Sequence, residues 1–274
     1  MKRLRIKAHA KINPVLAVGP LRPDGFHEVR TILQAIELHD VVEFAVAESL
    51  ELTCSIPKLS GEMNLAWKAL RLISELVDVP KLRIDIQKHI PLEAGLGGGS
   101  SDAAAVIRGV NEWLGGVLSK PDMLAVGAAC GSDVPFFLLG KPRARASGRG
   151  EVLSIVAAAP PSPLVIVQGH DGMSTADAYR KLEEIDRPFR KWPGEDRFYN
   201  DFERVAECEA LELFDRLLSR GADRALLCGS GSAVFGTFES EQIAAGVAAR
   251  LRGEGMWAVA TRTIDFFGEP EWTE

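Results

Sequence analysis

A glycine-rich segment carries the clearest chemistry in the sequence. Residues 91–101, PLEAGLGGGSS, lie between an alternating apolar stretch and an alanine-rich one. Glycines let the backbone take positive φ and approach a ligand closely, and the free N–H groups at a helix start attract anions. We therefore predict a phosphate-binding turn between a strand and a helix, with Ser100 or Ser101 capping that helix. A flexible turn that binds no ligand is the alternative.

The spacing of the glycines excludes two common nucleotide-binding loops. No lysine follows them, as a P-loop requires, and Ser100 occupies the position of the third glycine in the dinucleotide fingerprint. Asp102 would repel the phosphates that the turn binds unless Mg²⁺ bridges the two. Ser101 and Asp102 are therefore candidate ligands for Mg²⁺.

Two N-terminal segments place polar side chains beside turns. Lys11 and Asn13 precede a proline at the end of a predicted strand, where an exposed lysine before a turn is the ordinary alternative. Phe26 and His27 directly follow the turn sequence Pro-Asp-Gly, which brings an aromatic ring and an imidazole side by side. A loop with a packed phenylalanine and a solvated histidine is the alternative there.

Two later segments are open to two interpretations each. Asp133 follows an alanine-rich helix and precedes Val-Pro, so it either caps a short helix or directs its carboxylate into a site. Residues 229–232, GSGS, join two apolar runs. They form either a tight connection or a second backbone cradle for an anion.

Hydrophobic periodicity predicts the elements that position these residues. The N-terminal residues 1–7 alternate charged and apolar types, which indicates an edge or surface strand, and the Pro/Ala-rich residues 157–163 indicate a hinge between two domains. Further strands are predicted over 82–87, 164–167 and 256–263 and around Leu226 and Val234, helices after Asn64 and over 103–114, 123–129, 174–184, 208–219 and 242–251, and a surface loop over 189–198.

The composition indicates a folded, water-soluble chain. The 274 residues are 46% hydrophobic and carry a formal net charge of −6, which argues against a general nucleic-acid binder. No stretch is apolar enough for a membrane helix or a signal peptide. The four cysteines show no metal-ligand spacing, so we expect reduced, mostly buried thiols in a cytoplasmic protein.

The segments together resemble the GHMP small-molecule kinases. The resemblance rests on AKIN (10–13), DGFH (24–27), GLGGGSSDAA (95–104), GSDVP (131–135), NDFE (200–203) and GSGS (229–232), which occur here in that family's order. It implies an α+β fold in which residues 1–157 carry the phosphate loop and residues 158–274 form a ferredoxin-like domain. The substrate cleft would lie between the two.

The triple glycine, the Phe-His pair and the NDFE run narrow the implied reaction. ATP would donate its γ-phosphoryl group, with Mg²⁺, to the 2-hydroxyl of a methylerythritol linked to cytidine diphosphate, in the non-mevalonate route to isoprenoid precursors. A kinase for another small alcohol, such as homoserine or mevalonate, is an alternative, and so is a nucleotide-binding protein without catalysis. The partners would be small molecules, with no nucleic acid or membrane, and the chain a monomer or homodimer.

The resemblance also implies a role for individual residues. Lys11 and Asp133 match the catalytic pair. ATP would lie against Pro91, Leu92, Glu93, Ala94, Gly95, Leu96, Gly97, Gly98, Gly99, Ser100 and Ser101, with Asn64, Leu65 and Lys88 at the adenine. Asn13 would contact the acceptor, His27 its cytosine edge, and Phe26 (where the family usually has tyrosine) and Tyr179 the two faces of the base.

Overall fold

The computed structural model describes residues 2–157, 159–169, 174–185, 189, 192 and 198–273. The strands are β1 (Arg3–Leu21), β2 (His27–Val46), β3 (Glu51–Cys54), β4 (Leu82–Gln87), β5 (Arg143–Ser147), β6 (Val152–Ile155), β7 (Pro163–Gln168), β8 (Tyr199–Asn200), β9 (Arg224–Leu227), β10 (Ala233–Thr237), β11 (Trp257–Arg262) and β12 (Glu271–Thr273). The helices are α1 (Leu65–Ser74), α2 (Gly98–Trp113), α3 (Lys120–Cys130), α4 (Val134–Leu138), α5 (Thr175–Glu183), α6 (Cys208–Leu218) and α7 (Glu241–Gly253). The predicted loop over 189–198 falls largely outside the described residues.

The long strands β1 and β2 form the centre of the first sheet. Its order is β12-β1-β2-β4-β3, with β5 and β6 continuing from β2 and β8 pairing with β1. The prediction of an N-terminal edge strand was wrong, because β12 from the far end of the chain pairs with residues 3–5 and covers that edge. The strand predicted over 82–87 is confirmed as β4.

Helices α1 to α3 carry the apolar face that packs on this sheet. Asn64 caps α1, since its side chain accepts from the Ala66 N–H, and α1 buries one face against α2. Helix α2 begins at Gly98, earlier than predicted, and its N-cap is Gly97 with φ 72°. The expectation that Ser100 or Ser101 caps the helix was therefore wrong, because both serines already lie in its first turns.

The second sheet has the ferredoxin-like arrangement that the family resemblance implied. Strands and helices follow the order β7, α6, β9, β10, α7, β11, with α5 and β8 inserted after β7. The strand order is β11-β7-β10-β9, and every neighbouring pair is antiparallel. Each of the predicted helices and strands of this half is present with bounds within a residue or two.

The C-terminal tail leaves the second sheet and returns to the first. Thr263 bridges to Ile36, and β12 then pairs with β1. Strand β6 ends at Ile155 and β7 begins at Pro163, on either side of the predicted hinge. The division at residue 157 stays a prediction, and the last strand belongs to the sheet of the first half.

An apolar cluster joins the two sheets. It combines Ile12 of β1 and Leu96 of the glycine-rich loop with Ile166 and Phe235 of the second sheet. The glycine-rich loop is thereby held between the two halves. All four cysteines are free thiols, of which Cys130 and Cys228 are buried. No helix in the described part of the chain is both long and apolar enough to cross a bilayer.

Candidate active site

A cleft of about 370 Å³ brings residues of both halves together. Of the predicted site residues, it is lined by Lys11, Asn13, Phe26, Gly95, Gly97, Ser100, Asp133 and Tyr179. Thr31, Ser132, Arg149, Gly150, Thr175, Phe202, Gly229 and Ser230 also line it, beside the apolar Leu16, Val29 and Leu33. The five separated segments that sequence reasoning singled out therefore meet in one place.

Lys11 is a buried cation with three oxygen partners. Its Nζ donates to Asn13 Oδ1 at 2.8 Å and to the Gly95 carbonyl at 2.9 Å, and it lies 3.5 Å from Asp133 Oδ2. Its side chain is 6% exposed. The Asn13 amide donates in turn to Thr31 Oγ1 at 2.8 Å, so the orientation of the amide is fixed from β2. This network holds the ammonium group against the loop, and the alternative of an exposed lysine is excluded.

Asp133 points into the cleft instead of capping a helix. It occupies the N-cap position of α4, yet its side chain makes no capping hydrogen bond. Its carboxylate faces Lys11 and is 34% exposed, so that a ligand in the cleft can reach it. Gly131, the C-cap of α3, has φ 179° and is extended.

The glycine-rich loop needs its glycines for two different reasons. Gly95 and Gly97 have φ values of 73° and 72°, in the left-handed region that favours glycine. A Cβ on Gly95 would lie 1.7 Å from the Cys228 carbonyl oxygen, and a Cβ on Gly97 would lie 3.1 Å from Lys11 Cγ. The loop therefore packs on the second sheet through one glycine and on Lys11 through the other.

Most of the predicted ATP-binding loop is not at the cleft surface. Gly95, Gly97 and Ser100 line it, whereas the remaining loop residues are not among the described residues that do: Pro91, Leu92, Glu93, Ala94, Leu96, Gly98, Gly99 and Ser101. Ala94 and Leu96 belong to the apolar cluster between the sheets. Glu93 takes a positive φ of 55° and offers its carbonyl to the Ser232 N–H at 3.2 Å.

Asp102 lies in a buried ion cluster instead of at the cleft. Its Oδ2 is 2.6 Å from Lys88 Nζ, which is also 2.5 Å from Asp40 Oδ2, and all three side chains are at most 3% exposed. Burial raises the pKa of Asp102 to about 7, against the attraction of Lys88. Lys88 thus supplies the positive charge beside Asp102 that we expected from Mg²⁺.

The candidate Mg²⁺ ligands therefore fit poorly where they lie. Ser101 and Asp102 are both 2% exposed, although one carboxylate oxygen of Asp102 is buried with no hydrogen-bond partner. No group of three or more His, Cys, Asp or Glu among the described residues could hold a metal ion. Mg²⁺ bound by these two side chains stays a prediction, and their burial argues against it.

The residues predicted at the adenine also have structural partners. Asn64 accepts from the Ala66 N–H and donates to the Leu59 carbonyl, which uses both ends of its amide. Lys88 is committed to the ion cluster, and Leu65 packs at the edge of the first core. An adenine contact from these residues stays a prediction.

The aromatic residues predicted for the acceptor lie close together. His27 stacks on Tyr179 with a centroid distance of 5.0 Å, and Tyr179 lies edge-on to Phe202. Phe26 is half exposed at the cleft, with the Arg149 guanidinium 4.9 Å from its ring centroid. The His27 Nδ1 faces the Gly19 carbonyl at 2.9 Å and the Nε2 faces Glu183 at 2.8 Å, so both ring nitrogens have protein partners.

Sequence reasoning missed three polar residues of the cleft, Thr31, Arg149 and Thr175. Thr31 orients Asn13 from 18 residues further along the chain, and Arg149 brings a second cation to the cleft wall. A single threonine in an apolar strand and a single arginine in a loop carry no local signal. Only the pairing of β1 with β2 and the return of the chain after β5 bring them to the site.

The comparisons with known proteins agree with this geometry. Residues 64–141 match the family model described as the GHMP kinases N terminal domain. The curated 4-diphosphocytidyl-2-C-methyl-D-erythritol kinase of Geobacter metallireducens is 40% identical, over 96% of this chain and 100% of that protein.

Solved structures with similar folds include a kinase of the same kind. A 4-(cytidine 5'-diphospho)-2C-methyl-D-erythritol kinase is 34% identical with a TM-score of 0.80, over 98% of this chain and 100% of that one. A mevalonate kinase, at 14% identity and a TM-score of 0.72 over 95% and 99% of the two chains, shares the fold. Because the two methylerythritol kinases are 40% and 34% identical to it over almost the whole of both chains, the chain belongs to the 4-diphosphocytidyl-2-C-methyl-D-erythritol kinases of the GHMP kinase fold.

Proposed function

We propose that the chain transfers the γ-phosphoryl group of ATP to the 2-hydroxyl of 4-diphosphocytidyl-2-C-methyl-D-erythritol, in the non-mevalonate route to isoprenoid precursors. The observation that carries the proposal is the pair of Lys11 and Asp133, 3.5 Å apart beside the glycine-rich loop. The acceptor is inferred from the relatives, which are named as kinases of this cytidine-diphosphate methylerythritol.

Asp133 acts on the attacking hydroxyl. Its carboxylate accepts or orients the proton of the acceptor hydroxyl, which is general-base chemistry worth about 10²–10⁴ in rate. Lys11 lies 3.5 Å from this carboxylate and offsets the charge that develops on the transferring phosphoryl group. Phosphoryl transfer depends mainly on such positioning and charge, so a rigidly held lysine suits it.

The phosphates of ATP bind at the glycine-rich loop and the start of α2. Gly97 ends the loop, so the first free N–H groups of α2 and its dipole favour an anion there. Mg²⁺ accompanies ATP and offsets phosphate charge. Ser101 and Asp102 were the expected ligands, and because both are buried we propose that this chain binds the ion mainly through the phosphates.

The acceptor lies along the aromatic side of the cleft. Asn13 contacts it near the catalytic pair, Phe26 and Tyr179 flank the base, and His27 reads the cytosine edge. The Gly19 carbonyl makes Nδ1 of His27 the donor and leaves Nε2 to exchange Glu183 for the base. Arg149 adds a cation for an acceptor that is itself a diphosphate.

Two other functions predict different behaviour. A homoserine or mevalonate kinase has no base to bind and gives no reason for Phe26 and Tyr179 at the cleft, or for His27 stacked on Tyr179 beside it. A nucleotide-binding protein without catalysis does not need both Lys11 and Asp133. We further propose a cytoplasmic monomer or homodimer that acts on small molecules alone, without nucleic acid or membrane.

An ADP-release assay over three alcohols tests the reaction. The panel is the cytidine-diphosphate methylerythritol, homoserine and mevalonate, each with ATP and Mg²⁺. We expect turnover with the first alone. Faster turnover with either of the others would overturn the proposed acceptor, and no ADP from any would overturn the proposed activity.

Replacing the proposed base tests the mechanism. Asp133→Asn keeps the size of the side chain and removes the proton acceptor, so kcat should fall by about 10²–10⁴ while ATP still binds. Equilibrium binding of ATP separates the two effects. Full turnover by the variant would exclude Asp133 as the base.

A further inference from the structure

The segment 200–203, NDFE, has no part in the reaction as proposed so far, although the family resemblance rests partly on it. Asn200 and Asp201 are each 2% exposed and do not line the cleft, within the described residues. The segment begins at the last residue of β8, which pairs with β1 in parallel, with Asn200 opposite Leu16. It therefore lies against the strand that carries Lys11 and Asn13.

Every polar group of the Asn200 side chain bonds to the backbone. Its Nδ2 donates to the Leu227 carbonyl at 3.1 Å and to the Gly229 carbonyl at 2.7 Å, and its Oδ1 accepts from the Phe202 N–H at 3.0 Å. One donor bond goes to the last residue of β9 and the other to the turn that begins with Gly229. The side chain is 2% exposed and both of its amide hydrogens are used, so we expect it to affect catalysis through the backbone that it holds.

Asp201 connects the same segment to β1, the strand that carries Lys11. Its Oδ2 accepts from the Val18 N–H of β1 at 2.8 Å, and its other oxygen accepts from the Tyr199 hydroxyl. Adjacent residues thus hold β1 on one side and the turn after β9 on the other. The buried side chains of Asn200 and Asp201 together therefore set the distance between β1 and this turn.

The turn held by Asn200 touches the catalytic lysine. Gly229 has φ 59°, and a Cβ built on it would lie 3.1 Å from the Gly95 carbonyl oxygen and 3.4 Å from Lys11 Nζ. That carbonyl is one of the acceptors that hold Lys11. A shift of the turn would therefore move the acceptor of the lysine or crowd its ammonium group.

We propose that Asn200 is a positioning residue, which fixes the Gly229 carbonyl and so holds the turn 229–232 against Gly95 and Lys11. This role rests on the proposed function, because the assay that tests it measures phosphoryl transfer. Positioning of this kind affects the transition state, in which the lysine must meet a developing charge, more than it affects ground-state binding.

The variant Asn200→Asp isolates the two donor bonds. It keeps the acceptor for Phe202 and the size of the side chain, and it removes the N–H donors to Leu227 and Gly229. It also adds a buried carboxylate, which the uncharged Asn200→Ser avoids. We expect kcat, corrected for the fraction of molecules that bind ATP, to fall by about 10- to 100-fold. The KM values for ATP and for the acceptor should stay within about threefold of the parent, because binding energy is spread over the whole cleft.

A matched control and a second variant complete the test. Asn111→Asp makes the same substitution in α2, where Oδ1 accepts from the Leu118 N–H at 2.7 Å, and should leave kcat within about twofold. If Asn200→Asp does not fold, the uncharged Asn200→Ser should show the same loss in kcat. Unchanged corrected kcat in the folded variant, or a loss confined to KM, would overturn the positioning role, whereas an inactive parent protein would overturn the proposed function.

Discussion

At the scale of single residues, the site depends on how fully each polar atom is partnered. Lys11 has two hydrogen-bond acceptors and a carboxylate around one ammonium group, which defines its position without help from a ligand. His27 differs, because its Glu183 partner is 48% exposed and is readily exchanged. A buried, saturated group suits charge stabilisation, and an exchangeable one suits recognition of an incoming base.

Removal of the imidazole tests recognition of the acceptor. We expect His27→Ala to raise the KM for the cytidine-linked acceptor by about 10-fold or more, since a lost hydrogen bond is worth about 0.5–1.5 kcal/mol and the ring also stacks on Tyr179. The KM for ATP should not change, because the ring lies away from the glycine-rich loop. Steady-state kinetics with each substrate varied in turn measure both constants. An unchanged acceptor KM would indicate a different acceptor.

At the level of helices and strands, the buried ion cluster of Asp40, Lys88 and Asp102 connects α2 to the first sheet. Asp40 lies in β2, Lys88 follows β4 and Asp102 lies in α2, so one lysine joins three elements beneath the start of the phosphate loop. Asp40 also accepts from the N–H groups of His89 and Ile90. The cluster fixes where α2 begins, which is where the ATP phosphates are proposed to bind.

Removal of the central lysine should destabilise the fold in a pH-dependent way. Lys88→Met leaves two buried carboxylates without their cation, which costs about 3–5 kcal/mol of unfolding free energy. Because burial already raises the pKa of Asp102 from 3.8 to about 7, the folded chain holds that proton more tightly than the unfolded chain, and stability from this group falls as pH rises between the two values. The loss in Lys88→Met should therefore be larger at pH 8 than at pH 5.

Thermal unfolding at the two pH values measures this difference. Lys141→Met, at an exposed lysine, is the control and should shift the melting temperature little at either pH. A loss in Lys88→Met that is equal at pH 5 and pH 8 would show that the carboxylates do not respond to the missing cation.

At the scale of the whole molecule, the active site exists only where the two sheets meet. The apolar cluster of β1, the glycine-rich loop and the second sheet presses Gly95 onto the Cys228 carbonyl. The tail returns to pair β12 with β1, which adds a second connection between the halves. The cleft residues thus come from segments as far apart as Lys11 and Gly229, and the arrangement depends on both halves being folded.

A methyl group at the contact between the halves tests this arrangement. Gly95→Ala combines a φ of 73° with a Cβ 1.7 Å from a backbone oxygen, so it should lower the unfolding free energy by at least about 2 kcal/mol. Gly246→Ala, the matched control in α7, meets nothing within 4 Å and should raise stability by about 0.5–1 kcal/mol. Chemical denaturation of both variants gives the comparison. Equal stability of Gly95→Ala and the parent would mean that the loop does not pack on the second sheet.

Local periodicity and turn chemistry predicted most of the helices and about half of the strands of the described residues, and missed the long central strand β2. The alternation of Leu82, Ile84 and Ile86 appears as β4, and the capping residues Asn64 and Ser174 lie where α1 and α5 begin. These features depend on neighbours in the chain, which is why a pattern reveals them. The start of α2 escaped prediction, because the left-handed Gly97 ends the loop before either serine.

The residue types of the site are evident in the chain: a lysine, an aspartate, glycines at a helix start and an aromatic pair with a histidine. That Lys11 faces Asp133, that Lys88 pairs with Asp102 and that Asn200 holds the second glycine turn became evident from the fold alone. The charge and burial of a side chain depend on neighbours that distant strands bring to it. No spacing along the chain records those neighbours.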